Sequence, residues 1–76
     1  MYEFIRGIII ECNPASVVVE AGGIGYFINI SLNTYTKIHT QKEVQVFLHQ
    51  VVREDAHILY GFADKSERSL FRNLIS

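Results

Sequence analysis

Two adjacent carboxylates, Glu54 and Asp55, follow Arg53 where two apolar runs meet, in the string HQVVREDAHILYGF of residues 49–62. A tight hairpin tip favours Asn-Gly or Asp-Gly, because its central residues take positive φ and glycine does so without steric cost. This tip has no glycine. Three kinds of chemistry suit the acidic pair. One is a solvated turn whose charge discourages edge-to-edge association. A second is a Mg²⁺ site, which needs more oxygen ligands than two neighbouring carboxylates supply. The third is a fixed pair of anions that keeps phosphate away from one spot. A carboxylate–phosphate pair at about 6 Å costs about 0.7 kcal/mol at water's dielectric, and more where water is displaced.

Other reactive residue types are sparse. With Glu54 and Asp55 as the two turn residues, cross-strand pairs run 53/56, 52/57, 51/58, 50/59 and 49/60. Directly opposed residues share a face, so His49 and His57 then point to opposite sides of the sheet. His39 lies in a linking segment, and Cys12 has no ligand-like spacing to a neighbour, so only a longer turn would bring a histidine pair together. Gly22-Gly23-Ile24-Gly25 lacks the G-x-G-x-x-G spacing, and no Gly-Lys-Ser/Thr follows, which leaves a hairpin turn. Ser16, Ser31, Ser66 and Ser69 fall in turn or helix contexts with no histidine placed beside them. No catalytic constellation, metal site or cofactor motif emerges.

The elements that must position the acidic pair read as β structure. The chain has 76 residues, 49% hydrophobic and 20% charged, the size of one small globular domain. Residues 2–12 form an isoleucine-rich strand, and Gly7 in its middle predicts a kink or bulge, as at a barrel corner. Asn13-Pro14-Ala15-Ser16 is turn chemistry, with Pro14 presetting φ at the second position. SVVVEA is a β-branched strand. In YFINIS, Tyr26, Ile28 and Ile30 alternate with Phe27, Asn29 and Ser31, the period of a strand with one drier face. Leu32 to Ile38 is a short helix or an irregular link, and residues 43–53 and 56–62 form a last hairpin. Five strands with a helical link after the third predict a mainly β fold, a small closed barrel over residues 1–63.

The period changes in the tail, residues 64–76. Asp64 and Glu67 resemble a capping box, and Leu70, Phe71, Leu74 and Ile75 form one helical stripe behind it. With no stop signal before Ser76, the chain reads as continuing. One cysteine excludes an internal disulfide and suits a reducing cytoplasm, and no apolar run nears the ~20 residues of a membrane span. A net charge of −1 is unlike a domain that binds nucleic acid alone through phosphates.

RGIIIE (6–11), VVVEAGGIGY (17–26), VVREDAHILYGF (51–62) and the following SERSLFRNLIS closely resemble the N-terminal domain of the RuvA family. That family supplies the junction-binding subunit of the bacterial Holliday junction branch migration complex, in recombination and DNA repair. The resemblance spans essentially the whole chain. It implies a five-stranded OB-fold barrel, assembly of the whole protein as a homotetramer on four-way junction DNA, and a non-catalytic part beside the ATP-driven RuvB motor. It further implies that Glu54 and Asp55 form an acidic pin at the junction centre that keeps strands apart; for Arg53 the residues leave two roles open, pairing with these neighbouring acids or reaching a DNA phosphate. The family's helix-hairpin-helix and RuvB-binding domains would lie beyond residue 76. From the residues alone, a generic OB-fold module remains open, one that stacks single strands on Tyr26, Phe27, Tyr35, Tyr60 and Phe62 or serves oligomerisation.

Overall fold

The computed structural model describes residues 2–75. The chain runs β1 (Phe4–Asn13), β2 (Ser16–Ala21), β3 (Ile24–Ile30), α1 (Leu32–Ile38), β4 (Glu43–Val52), β5 (His57–Phe62) and α2 (Lys65–Ile75). The strands close into a barrel in the order β1-β2-β3-β5-β4. This is the expected OB-fold arrangement, five strands with a short helix after the third and another helix at the end. Residue 76, which the sequence reading includes in the last helix, lies outside the described residues.

Four of the five joins are antiparallel, and the fifth closes the ring through two parallel pairs, Asn29↔Tyr60 and Ile30↔Gly61. The turns follow their residues. Gly22 and Gly23 take φ of 61° and 84°, which lets Ala21 pair directly with Ile24, so β3 starts two residues earlier than the alternation of YFINIS marks. Pro14 and Ala15 fill the turn between the paired Asn13 and Ser16.

Gly7 corrects one expectation. The register of β1 against β2 slips between Ile9 and Glu11, not at Gly7. Gly7 instead sits where the backbone of Glu20 presses closest, and a Cβ there would run into the Glu20 carbonyl oxygen. The glycine marks a close backbone approach, one of the roles glycine plays within strands, and the bulge falls at Ile10.

Inward-facing side chains meet in one core: Ile5, Val17, Val19, Ile28, Val44, Val46 and Leu48, with Ile38 of α1 added to them and Leu59 of β5 packed against them; Phe62 of β5 is buried too. On β3, Ile28 is fully buried, while Tyr26 and Ile30 pack against the core and Phe27 is exposed, as the alternation predicts. LNTYTKI is a helix, the first of the two readings, because Ser31 caps it by accepting from Thr34 N–H at 3.1 Å. Asp64 likewise caps α2, its Oδ1 accepting from Glu67 N–H at 2.8 Å. The capping box is not reciprocal, however: the Glu67 carboxylate turns away to α1, where it accepts from Ser31, Asn33 and Thr34.

Candidate nucleic-acid interface

β4 pairs with β1 only as far as Phe47, and β5 pairs with β3 only from Tyr60 onward. Between these limits β4 and β5 pair only with each other, through Gln50↔Leu59, Val51↔Ile58 and Val52↔His57. Arg53 and Ala56 close the end, with Arg53 N–H donating to Ala56 O at 2.7 Å and Ala56 N–H to Arg53 O at 3.4 Å. A two-stranded stem of about 10 Å therefore extends past the barrel's side ladders, at ~3.3 Å per residue. Glu54 and Asp55 are its tip, in the register read from the sequence.

No residue other than glycine has positive φ among the described residues, so the tip is not one of the primed turns that suit hairpin twist. Arg53, Glu54 and Asp55 are all exposed. Among the described residues no ion pair joins Arg53 to either acid; the two ion pairs are Lys37–Asp64 at 3.1 Å and Arg68–Glu3 at 2.8 Å. The tip thus presents two carboxylates to solvent, as groups that repel phosphate and attract cations.

Helix α2 braces the root of this stem. Lys65 and Arg68 lie over the Phe47 ring, and Phe71 contacts the rings of His49, Tyr60 and Phe62, so the helix runs along β4 toward the stem. Arg68 is 6% exposed and donates to Glu3 O at 2.9 Å and Leu48 O at 3.3 Å, besides its ion pair with Glu3. The Glu3 carboxyl is held below its ordinary value, chiefly by that Arg68 hydrogen bond and against the effect of burial. Arg72 Nε donates to His49 Nδ1 at 3.2 Å, and its Nη2 lies 3.5 Å from Leu48 O. Burial first, then the Arg72 and Arg68 charges, lower the His49 pKa.

These bracing residues escaped sequence reading. The signal present was the spacing of Arg68 and Arg72 at i and i+4 on the face that carries Phe71, read there as a plain apolar stripe. His49 and His57 lie on opposite faces of the hairpin, as the register predicts. His39 caps the end of α1, its ring nitrogen 2.9 Å from Tyr35 O and stacked on Tyr35. Among the described residues no three His, Cys, Asp or Glu side chains gather, and no helix is long and apolar enough to cross a membrane. Of the five aromatics that suit stacking, Phe62 is core, Tyr60 lies against Phe71, Tyr35 against His39 and Tyr26 against Tyr2. Phe27 alone of the five is largely exposed, which does not favour a single-strand stacking platform.

Comparison with known proteins gives the family of the chain. A family model described as the RuvA N terminal domain matches residues 1–61. The Holliday junction branch migration complex subunit RuvA of Christiangramia forsetii is 54% identical over 76 residues, covering 100% of this chain and 39% of its own length. The protein of the same name from Bacteroides fragilis is 50% identical over 76 residues, 100% of this chain and 38% of its own length. That from Flavobacterium psychrophilum is 46% identical, with 100% and 39% covered. The chain therefore spans under two-fifths of the length of these relatives. With the family model covering most of its length and the barrel and hairpin in place, the chain belongs to the RuvA N-terminal domain family.

Proposed function

We propose that this chain is the junction-centre domain of a RuvA-like Holliday junction branch migration subunit, and that Glu54 and Asp55 act as an electrostatic pin. The observation that carries the reading is the exposed acidic tip on a stem that extends past the barrel, with neither carboxylate in an ion pair among the described residues. Anions fixed at that distance from the barrel repel phosphates that approach the same point, so continuous duplex crossing the centre is penalised and separated strands are not. In this reading the domain is non-catalytic. Phosphate binding and contact with an ATP-driven RuvB motor belong to further domains of a longer protein, in keeping with the net charge of −1 here. The assembled species is a homotetramer around one four-way junction, in a cytoplasm, with four pins near its centre. Arg53, beside the pin, is the side chain of this tip suited to a phosphate.

The test is a chimaera in which residues 1–76 replace the matching segment of the Christiangramia forsetii relative. Glu54→Gln with Asp55→Asn keeps shape and removes charge. Binding to four-way and duplex DNA should tighten, by more than tenfold if eight lost charges contribute about 0.3 kcal/mol each, and junction selectivity should fall. Unchanged affinities for both DNAs would reject the pin, and a Mg²⁺ dependence confined to the parent would point to a metal site instead.

A further inference from the structure

The acidic tip is only as well aimed as the root of its stem, and one helix holds that root. The apolar part of the grip is Phe71, whose ring centroid lies 5.5 Å from His49, 5.2 Å from Tyr60 and 5.1 Å from Phe62. The polar part next to the stem comes from Arg72, whose Nε donates to His49 Nδ1 at 3.2 Å and whose Nη2 donates to Leu48 O at 3.5 Å; only the first of these has a titrating acceptor. His49 is the last β4 residue before the free stem begins at Gln50, and it pairs directly with Tyr60 across the hairpin. We propose that His49 and Arg72 are the positioning pair of the acidic tip, joining α2 to the stem root while the imidazole is neutral and letting go when it is protonated. The geometry stands by itself; its functional meaning rests on the pin reading above.

The argument is one of donors and acceptors. A neutral imidazole has one acceptor nitrogen, and Nδ1 is here the one facing an arginine donor. A protonated imidazole has two N–H donors and no acceptor, so the bond cannot survive protonation. What replaces it is cation facing cation. The charged groups around His49 come from α2, where Arg72 and Arg68 both approach and Lys65 lies over the neighbouring Phe47 ring. From β5 the facing titratable group is Tyr60. From the segment ahead of β1 there is Glu3, whose carboxylate is already committed to Arg68 at 2.8 Å. Glu54 and Asp55 lie five and six residues along the chain, roughly 16–20 Å away at ~3.3 Å per residue, beyond a Debye length of about 8 Å. Among the described residues no uncommitted carboxylate acts on His49 to welcome an imidazolium.

The sign follows. Burial and the two guanidiniums hold the His49 pKa below its ordinary 6.5. An unfolded or undocked histidine binds its proton more readily than the docked one, so docking is strongest above that ordinary value and weakens as pH falls below it. Phe71 keeps its apolar contacts at any pH, and Arg68 and Arg72 keep the Leu48 carbonyl, so the outcome is a loosened helix and a more mobile tip rather than release.

Amide hydrogen exchange by NMR on the 76-residue protein reads this without DNA. Between pH 7.5 and 5.5, protection factors in the second half of α2 should fall about fivefold, and those of the stem should fall with them. His49→Asn places a carbonyl oxygen near the Nδ1 position and does not titrate, so its protection should be the same at both pH values. Arg72→Met keeps the aliphatic stem and removes the charge, and the His49 ring should then titrate closer to its ordinary value. Protection that ignores pH in the parent, the same fall in His49→Asn, or an unmoved His49 titration in Arg72→Met would each overturn the proposal. Because none of these uses DNA, they are separable from the pin: a failed chimaera experiment leaves the pair positioning a tip with another task.

Discussion

The Thr34 hydroxyl donates a 2.7 Å hydrogen bond to Glu67 Oε1, and this contact ties α1 to the first turn of α2. Thr34 is fully buried, and its oxygen also accepts from Ala63 N–H at 3.3 Å. Glu67 Oε2 takes Ser31 Oγ at 2.8 Å and Asn33 Nδ2 at 3.2 Å. One carboxylate thus serves three side chains at the start of α1. Glu67→Ala strands a buried hydroxyl and two more donors, and should destabilise the fold by about 1–3 kcal/mol. Urea unfolding of the parent and variant measures it; a midpoint unchanged by the substitution would contradict this role.

Acid should loosen the same junction. Burial favours the protonated Glu67, yet the hydrogen bonds from Thr34, Ser31 and Asn33 prevail and hold its carboxyl below the ordinary value of 4.5. Asp64 shifts the same way, through the Glu67 backbone N–H first and the Lys37 side chain next. A depressed carboxylate pKa contributes stability above the unfolded value and loses it as pH falls through the folded one. Tm should therefore drop from pH 5 toward pH 3, and Glu67→Gln should flatten part of that slope. Parallel profiles for parent and variant would show that Glu67 has no share in it.

Two glycines are required by space alone. A Cβ on Gly61 would lie 2.6 Å from both Ile28 Cγ2 and Val46 Cγ1, two fully buried side chains. Gly61→Ala should cost about 1–3 kcal/mol through overpacking. Gly7→Ala meets backbone, the Glu20 carbonyl, which cannot rotate aside, so it should cost more than Gly61→Ala. Thermal melts of both variants rank them.

The tip behaves oppositely. Neither Glu54 nor Asp55 has positive φ, so glycine has no conformation to supply there. Asp55→Gly should then destabilise slightly, by up to about 1 kcal/mol, because it enlarges the unfolded ensemble. A clear gain in stability would mean that the turn relaxes to a primed geometry when allowed.

Much of this architecture is legible in residue order. Strand alternation, the Gly22-Gly23 turn and the 53/56 register each depend on near neighbours, and all stand as read. The misreadings share a cause. Local pattern suggests a kink or bulge at Gly7, whereas the constraint on it is the backbone of Glu20, thirteen residues away, and the bulge lies elsewhere. Spacing alone assigns Glu67 to its own helix cap, whereas its partners sit at the start of α1, more than thirty residues earlier. The acidic tip was visible as an oddity of composition, whereas its bracing by Phe71, Arg68 and Arg72 needed α2 laid along β4. Local chemistry shows in sequence; contacts between elements do not.

The two parallel pairs that close the barrel have a consequence for how the molecule assembles. β1 to β3 form successive neighbouring hairpins, and β4 with β5 forms another, all with short loops that close quickly. The join of β1 to β4 spans far more chain, Phe4 to Phe47 for example, and the ring shuts only when residues 29–30 find 60–61. Pairing of such low locality is slow, and with two pairs to hold it this seam is a late piece to form, as is the longer-range join of β1 to β4. Asn29 Nδ2 donates to Leu59 O at 3.2 Å across it, so Asn29→Ala should speed unfolding and leave the refolding rate nearly unchanged. A slowed refolding limb would place the seam in the nucleus instead. Until it shuts, β3 and β5 both offer open edges, and at high concentration a second molecule can supply the missing strand.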